Sequence, residues 1–322
     1  MSVLVTGAAG FIGSQVARSL LARGEEVVGV DNFSPYYDPI LKFARLKPLK
    51  DDKGFTFIEG DIADREAMLG LADRHRGIDR IVHLAAQPGV RHSMVDPYIY
   101  VQTNVMGQLV MAELARRLPG LKHFVYASSS SVYGGNRKQP FAEEDRVDRP
   151  ISLYAATKRA DELLGETYAH LYKLKATGLR YFTVYGPWGR PDMSPWIFAK
   201  AIHEGATINL YHLGFVKRDY SFIDDIVAGT LAALDRPPEQ PAHRVYNLGA
   251  ARSEDIVHVI ELFEKAMGKK AVVELKPGEP GDMLETSADI SAAGRDLDWA
   301  PKVAVEEGIP KFVEWFRSYN RL

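Results

Sequence analysis

Gly7, Gly10 and Gly13 restrict this chain more than any other feature. They lie between an apolar run, Val3-Leu4-Val5, that reaches Thr6, and an amphipathic stretch extending through Arg23. A second apolar run, Val27 to Val30, stops at Asp31, 18 residues beyond Gly13. Glycine has no side chain, so the chain can turn tightly there and backbone N–H groups can approach a pyrophosphate at a helix N-terminus. An acid after the second strand can accept hydrogen bonds from an adenosine ribose. Strand, glycine turn, helix, strand and acid together specify a dinucleotide-binding βαβ unit with its glycines spaced GxxGxxG. Asp31 favours NAD over NADP, because its carboxylate repels a 2′-phosphate and no basic residue follows within several positions.

The bulk properties narrow the class. A chain of 322 residues can bury a large core and form one bulky domain with a smaller lobe. A net charge of −2 argues against nucleic acid as a partner. Cysteine is absent, which excludes disulfides, thiolate nucleophiles and thiolate-held metals. The N-terminus reads as a strand rather than a secretion signal, and no apolar run approaches the length of a membrane span. A cytoplasmic location without membrane contact is the expectation.

Strand-like and helix-like stretches alternate through the first half. Phe55 to Ile58 reads as a strand ending near Asp61, Arg65 to Arg74 as a helix, and Ile78 to Ala85 as a buried strand. Val101 to Leu118 reads as a long helix, His123 to Ala127 as a strand, Leu153 to Leu171 as a helix and Ala176 to Tyr181 as a strand. This alternation predicts an α/β fold: a Rossmann-type, doubly wound parallel sheet covered on both faces. Ligands then lie beyond the carboxyl ends of the strands, where Gly7, Asp31, Asp61, Ala85-Ala86, Ser128 to Ser131 and Thr183 fall. After about residue 187 the pattern loosens. Pro187, Pro191 and Pro195 punctuate a loop-rich stretch, and the later segments are short: Ile208 to Tyr211, Ser221 to Leu234, Val245 to Leu248, Glu254 to Met267 and Ile309 to Tyr319. Residues 1–187 are expected to form the dinucleotide domain. Residues 188–322 are expected mainly to form a smaller C-terminal substrate lobe, with some segments returning to the sheet.

Tyr154 and Lys158 stand one helical turn apart in SLYAATKRADELL, on one face. An ammonium near a phenol favours the phenolate, which can act as a general base on an alcohol. Ser128-Ser129-Ser130-Ser131 follows a strand at the sheet's carboxyl edge, where a hydroxyl can bridge a substrate alcohol and that phenol. Other conspicuous residues have plainer readings. His83 and His92 belong to no cluster with metal-ligand spacing, so no metal site is expected. Asp224-Asp225 begin a helix, and Trp188, Trp196, Trp299 and Trp315 serve packing or rim positions.

Taken together, TGAAGFIG, HLAAQPGVRHS, ASSSSVYG, YAATK and RYFTVYGPWGRPDM resemble the extended short-chain dehydrogenase/reductase family. The resemblance is strongest to its nucleotide-sugar 4-epimerases, and among these to the branch acting on UDP-glucuronate. It extends through KRDYSFIDDIV and EPGDMLETSAD to the C-terminus. It implies Tyr154 as acid/base, Lys158 as its partner and a ribose ligand, and Ser129 at the catalytic Ser/Thr position. It implies NAD held by Gly7, Gly10, Phe11, Ile12, Gly13, Asp31, Asn32, Asp61, Ile62, Leu84, Ala85, Ala86, Asn104, Tyr154, Lys158 and Tyr181. A UDP-sugar would contact Gln87, Gly89, Arg91, Ser129, Ser130, Thr183, Arg190, Tyr211, Arg218 and Asp282. Of these, Tyr211 matches the aromatic that packs on uracil, Arg218 a diphosphate ligand and Asp282 a uridine-ribose acceptor. Galactose epimerases usually carry Arg where Glu279 stands and Asn where Thr183 stands, and both departures point away from UDP-galactose. The stretch YHLGFVKRD also departs from the family pattern, at His212.

The implied reaction oxidises C4 of the sugar, turns the 4-keto intermediate and reduces it on the other face, regenerating a tightly bound NAD. For a glucuronate the intermediate is a β-keto acid, so the carboxylate must be kept from the orientation that releases carbon dioxide. Arg91 and Arg190 are the candidate cations, with Thr183 as a hydroxyl donor. A UDP-glucuronate decarboxylase or another UDP-hexose 4-epimerase would share most of these residues. A non-catalytic NAD-sensing regulator would have a broken Tyr–Lys pair, whereas this chain keeps both. The resemblance also implies a homodimer through the helices Val101 to Leu118 and Leu153 to Leu171.

Overall fold

The computed structural model describes residues 1–278 and 283–322. Strands β1 (Ser2–Thr6), β2 (Glu26–Asp31), β3 (Phe55–Glu59), β4 (Ile78–His83), β5 (His123–Ser129) and β6 (Ala176–Tyr181) join a seventh, His243–Leu248, in one sheet. The spatial order is the seventh strand, β6, β5, β4, β1, β2, β3, and every pairing is parallel. Every residue of β1 is buried, as a central strand covered on both faces requires. The chain leaves β1 towards β2 and β3 on one side and continues from β4 to β6 on the other. The crevice beyond β1 and β4 is therefore the place for a ligand.

Helices cover both faces. Helix α1 (Phe11–Ala22) buries Phe11, Val16, Ala17 and Leu20 at turn spacing and packs beside the helix Ile223–Leu234. The core on that face is continuous with Phe198, Phe263, Trp299 and Phe312 from the later part of the chain. On the opposite face Met68, Leu71, Met111 and Leu114 pack against Phe124 and Tyr126 of β5.

Several elements differ from the sequence expectation. The helix expected over residues 65–74 is broken at Gly70 into Arg65–Leu69 and Leu71–Arg74. The strand expected to reach Ala85 stops at His83. The helix expected from Val101 begins at Pro97, where proline suits a first turn whose N–H has no intrahelical partner. It widens to a π-helix over Val101–Met106 before Gly107–Arg117. The loop-rich stretch after 187 contains a helix, Ser194–Glu204, with Pro195 in its first turn for the same reason. Ile40–Lys50 is a further helix that the sequence reading did not include. The strand His243–Leu248 pairs with β6, and the helix Ile223–Leu234 packs on α1, β5 and β6.

Candidate functional site

A cavity of about 550 Å³ opens over the carboxyl ends of the sheet. Its nucleotide end is backbone. Gly7 has φ +70, and a Cβ there would lie 2.9 Å from Ala85 N. A Cβ on Gly13 would lie 2.0 Å from Gly7 O, so the turn closes only with glycine. Gly10, Phe11, Ile12 and Gly13 line the cavity, and no side chain caps α1. First-turn N–H groups of a helix have no intrahelical partner, so this end presents donors to an anion. Asp31, at the end of β2, accepts from Ala9 N (3.1 Å) and Phe33 N (2.9 Å) and lines the cavity. Asn32 donates to Asp61 (3.0 Å), and both line the wall beside Ile62. Leu84 N and Ala85 N donate to Thr6 Oγ1, which lies 2.7 Å from His83 Nδ1. Burial, with the Lys158 charge nearby, pushes the His83 pKa down to about 3, so the imidazole is neutral. His83 is thus a neutral residue hydrogen-bonded to Thr6. Glycine backbone, a carboxylate at the second strand and open helix N–H groups fit a dinucleotide.

The middle of the cavity carries the chemistry-bearing groups. Ser152 Oγ accepts from Ala155 N (3.1 Å) and caps the helix Leu153–Tyr172, which places Tyr154 in the first turn and Lys158 one turn on. Both line the cavity with Ser129 and Ser130. Ser129 Oγ accepts from Ser131 N (3.1 Å), which leaves its own proton to donate. Ser128 lines the cavity as well, with its hydroxyl donating to Glu162 (2.7 Å). Lys158 Nζ donates to Ala127 O (2.9 Å) and Asp161 Oδ2 (3.0 Å). Tyr181 lines the wall with its hydroxyl paired to Thr230. Ala86 and Gln87 also line it, and the buried Gln87 Nε2 has no partner among the described residues.

Asn104 is absent from the lining. It is buried, accepting from Gln87 N (2.8 Å) and donating to Gln87 O (3.1 Å) and Thr157 Oγ1 (3.0 Å). It therefore ties the loop after β4 to the helix bearing Tyr154, and its amide is occupied by protein. The π-helix Val101–Met106 brings it to that loop.

At the far end Gly89, Thr183, Arg190 and Arg218 line the wall. Arg190 Nε donates to Asp192 (3.0 Å), and Tyr36 OH donates to the same carboxylate (3.1 Å). Burial opposes the Arg190 charge, but Asp192 more than compensates and raises its pKa above the ordinary value. Burial and Asp192 push Tyr36 up to about 12, so it remains a donor. Arg218 donates to the carbonyls of Lys217 (2.9 Å) and Leu284 (3.2 Å). Arg91 and Tyr211 lie outside the lining and stack on each other, with the guanidinium 4.3 Å from the ring centroid. Asp282 lies outside the described residues.

Three residues near the site were not read from the sequence. Lys42 Nζ lies 3.6 Å from Asp31, although eleven positions separate them along the chain. The absence of a basic residue just after Asp31 therefore does not describe its surroundings. Arg45 donates to Trp188 O (2.6 Å), Gly189 O (3.1 Å) and Tyr37 OH (2.6 Å), linking the second-strand side to the loop before Arg190. Tyr36 contacts Asp192 as above. The available signal was two cations on the buried stripe Leu41, Lys42, Arg45, Leu46 and Leu49. Among the described residues no cluster of His, Asp and Glu could hold a metal.

The sequence pattern of the NAD dependent epimerase/dehydratase family matches residues 3–249. UDP-glucuronate 4-epimerase 4 of Arabidopsis thaliana is 44% identical over 335 residues, spanning 99% of this chain and 76% of its own. A probable UDP-glucuronate 4-epimerase of Rhizobium meliloti strain 1021 is 41% identical, spanning 100% of this chain and 98% of its own. The crystal structure of UDP-glucuronic acid 4-epimerase from Bacillus cereus, in complex with UDP-glucuronic acid and NAD, is 34% identical. It superposes with a TM-score of 0.92, covering 99% of this chain and 100% of that one.

Proposed function

The chain belongs to the NAD dependent epimerase/dehydratase family, and we propose that it inverts C4 of UDP-glucuronate to give UDP-galacturonate. The observation that carries this reading is that Ser129, Tyr154 and Lys158 face the same cavity as the glycine turn and Arg190. The glycine turn, Asp31, Asn32, Asp61 and Lys158 would hold NAD, which when bound supplies a hydride acceptor and donor for the sugar C4. Tyr154 takes the proton of the C4 hydroxyl and later returns it, with Ser129 donating a hydrogen bond to the same oxygen. Inversion requires the oxidised sugar to present its opposite face, so the nucleotide must stay held while the hexose turns. Arg218, Tyr211 and Asp282 are assigned to the nucleotide, Gln87, Gly89 and Ser130 to the sugar, and residues 188–322 supply most of that lobe.

A carboxylate beta to the transient ketone is lost when its bond stands perpendicular to the carbonyl plane. Asp192 takes the Nε/Nη2 edge of Arg190, so Nη1 is the edge left to meet a carboxylate, and Thr183 brings a hydroxyl to the same cavity. We assign both to holding the carboxylate out of that orientation; Arg91, the other candidate cation, stacks on Tyr211 outside the lining. A decarboxylase reading predicts UDP-pentose and carbon dioxide as main products. One incubation of purified protein with UDP-glucuronate, UDP-glucose and UDP-N-acetylglucosamine, without added NAD, separates the readings. UDP-galacturonate as the dominant product is expected; a pentose product or no turnover overturns the assignment.

Among the described residues no helix is long and apolar enough to cross a membrane, and we assign the activity to the cytoplasm. We also infer a homodimer. The run Pro97–Arg117 packs on Leu153–Tyr172, and Tyr98, Val101 and Leu163 on these helices are exposed. Sedimentation at the mass of two chains is expected, and a single 35.9-kDa species would remove the assignment.

A further inference from the structure

The Lys158 ammonium has three protons to donate. One goes to Ala127 O at 2.9 Å, at the end of the strand that carries Ser129, and one to Asp161 Oδ2 at 3.0 Å. The Lys158 and Asp161 side chains are 5% and 2% exposed, so water does little to screen the pair. The other oxygen, Asp161 Oδ1, is buried and has no partner among the described residues. Leaving a buried carboxylate oxygen unpaired is costly. Packing does not require it, since a neutral side chain would fill the same space.

We propose that Asp161 is a positioning residue that tempers the Lys158 charge felt by Tyr154, keeping the phenol able both to take a proton and to return it. The inference rests on Tyr154 being the acid/base. In an epimerisation the same group is base in one half of the reaction and acid in the other, so it must both accept and give up a proton within one turnover. An isolated buried ammonium would favour phenolate throughout and leave a poor proton donor. A carboxylate bonded to the ammonium offsets that effect, while Ala127 O ties Nζ to β5.

Among the groups packed against the pair, Glu162 adds a repulsion that helps raise Asp161. Glu162, next on the same helix, is occupied by Arg180 (2.8 Å) and Arg159 (2.9 Å). Tyr126 on β5 is held neutral by burial, and His83 on β4 is neutral as well. Burial outweighs Lys158 and pushes the Asp161 carboxyl up to about 6. Its tempering charge is therefore present at neutral pH and fades on acidification.

The test compares wild type with Asp161→Asn, both as purified holoenzyme. Two quantities are followed against pH: turnover of UDP-glucuronate and ultraviolet absorbance of tyrosinate. Tyr154→Phe in each background serves to subtract the other tyrosines. Removing the negative charge favours phenolate, so the acid limb of kcat and the Tyr154 absorbance midpoint should both move down by roughly one pH unit. Asp161→Glu, which keeps the charge, should stay near wild type. If the Asn variant does not fold, Asp161→Ser reads the same shift. An absorbance midpoint that either neutral variant leaves unmoved overturns the proposal. Failure of the wild type to turn over UDP-glucuronate would instead overturn the substrate assignment, while the absorbance titration still decides the role of Asp161.

Discussion

At the nucleotide end of the cavity the wall is backbone: Gly7 to Gly13, with Asp31 reaching in from the neighbouring strand. At the far end the wall is side chains: Arg190 is held by Asp192, which Tyr36 also contacts, Arg218 by local carbonyls, and Thr183 stands on a short strand. Backbone placed by a buried parallel sheet has almost no freedom to move. Side chains outside the main sheet can be re-aimed by a single partner. The first end therefore suits a group that stays bound through every turnover, and the second a substrate that must enter, turn and leave.

The largest effect is expected at the seam between the two ends. Tyr154→Phe should lower kcat roughly 10²- to 10⁴-fold while the purified protein keeps its NAD; a variant retaining most of its rate contradicts the assignment. Next comes the backbone end. In Gly13→Ala the added methyl meets Gly7 O, which cannot swing away as a side chain can. NAD affinity should fall roughly 10- to 100-fold, seen as loss of the cofactor absorbance during purification, and undiminished NAD content would break the contrast. Arg190→Ala probes the side-chain end. KM for UDP-glucuronate should rise roughly 10- to 100-fold and pentose product should appear, with NAD content unchanged; unaltered kinetics and products would exclude Arg190 from the sugar site.

The smallest effect concerns the rigid scaffold itself. Burial holds His83 near a pKa of about 3 and His123 near about 4. Below about pH 6.5 the unfolded chain takes up these protons while the folded chain does not. The stability from neutral histidines is thus complete above that pH and is lost as pH falls towards 4, by about 1.4 kcal/mol per pH unit for each. Asp161 and Asp219, both raised to about 6 by burial, act in the opposite direction between about pH 4 and 6. Thermal unfolding at pH 7 and pH 5 should therefore show a smaller acid loss in His123→Gln than in wild type, and equal losses would refute the neutral assignment.

Legibility followed the same division. Glycine spacing and Asp31 could be read because adjacent residues in one βαβ unit make the site locally. Tyr154 and Lys158 could be read because helix periodicity alone puts them on one face. Lys42 and Arg45 could not, since their helix meets Asp31 and the Trp188 carbonyl only in the folded sheet. Asn104 was placed near the cofactor with a structural role left open, and its amide is held by Gln87 and Thr157, a pairing between segments that share no sequence pattern. Pro195 suggested a loop and instead begins a helix, because proline tolerates the first turn.

From its residues alone this chain is committed to a parallel α/β sheet, a dinucleotide turn and a Tyr–Lys pair. Periodicity and glycine geometry act over a few neighbouring positions and need no distant partner. Folding alone determines which cations face the cavity, which are paired within the protein, and that a buried carboxylate stands behind Lys158. Burial and ion pairing depend on what packs across the sheet, and no local pattern encodes that.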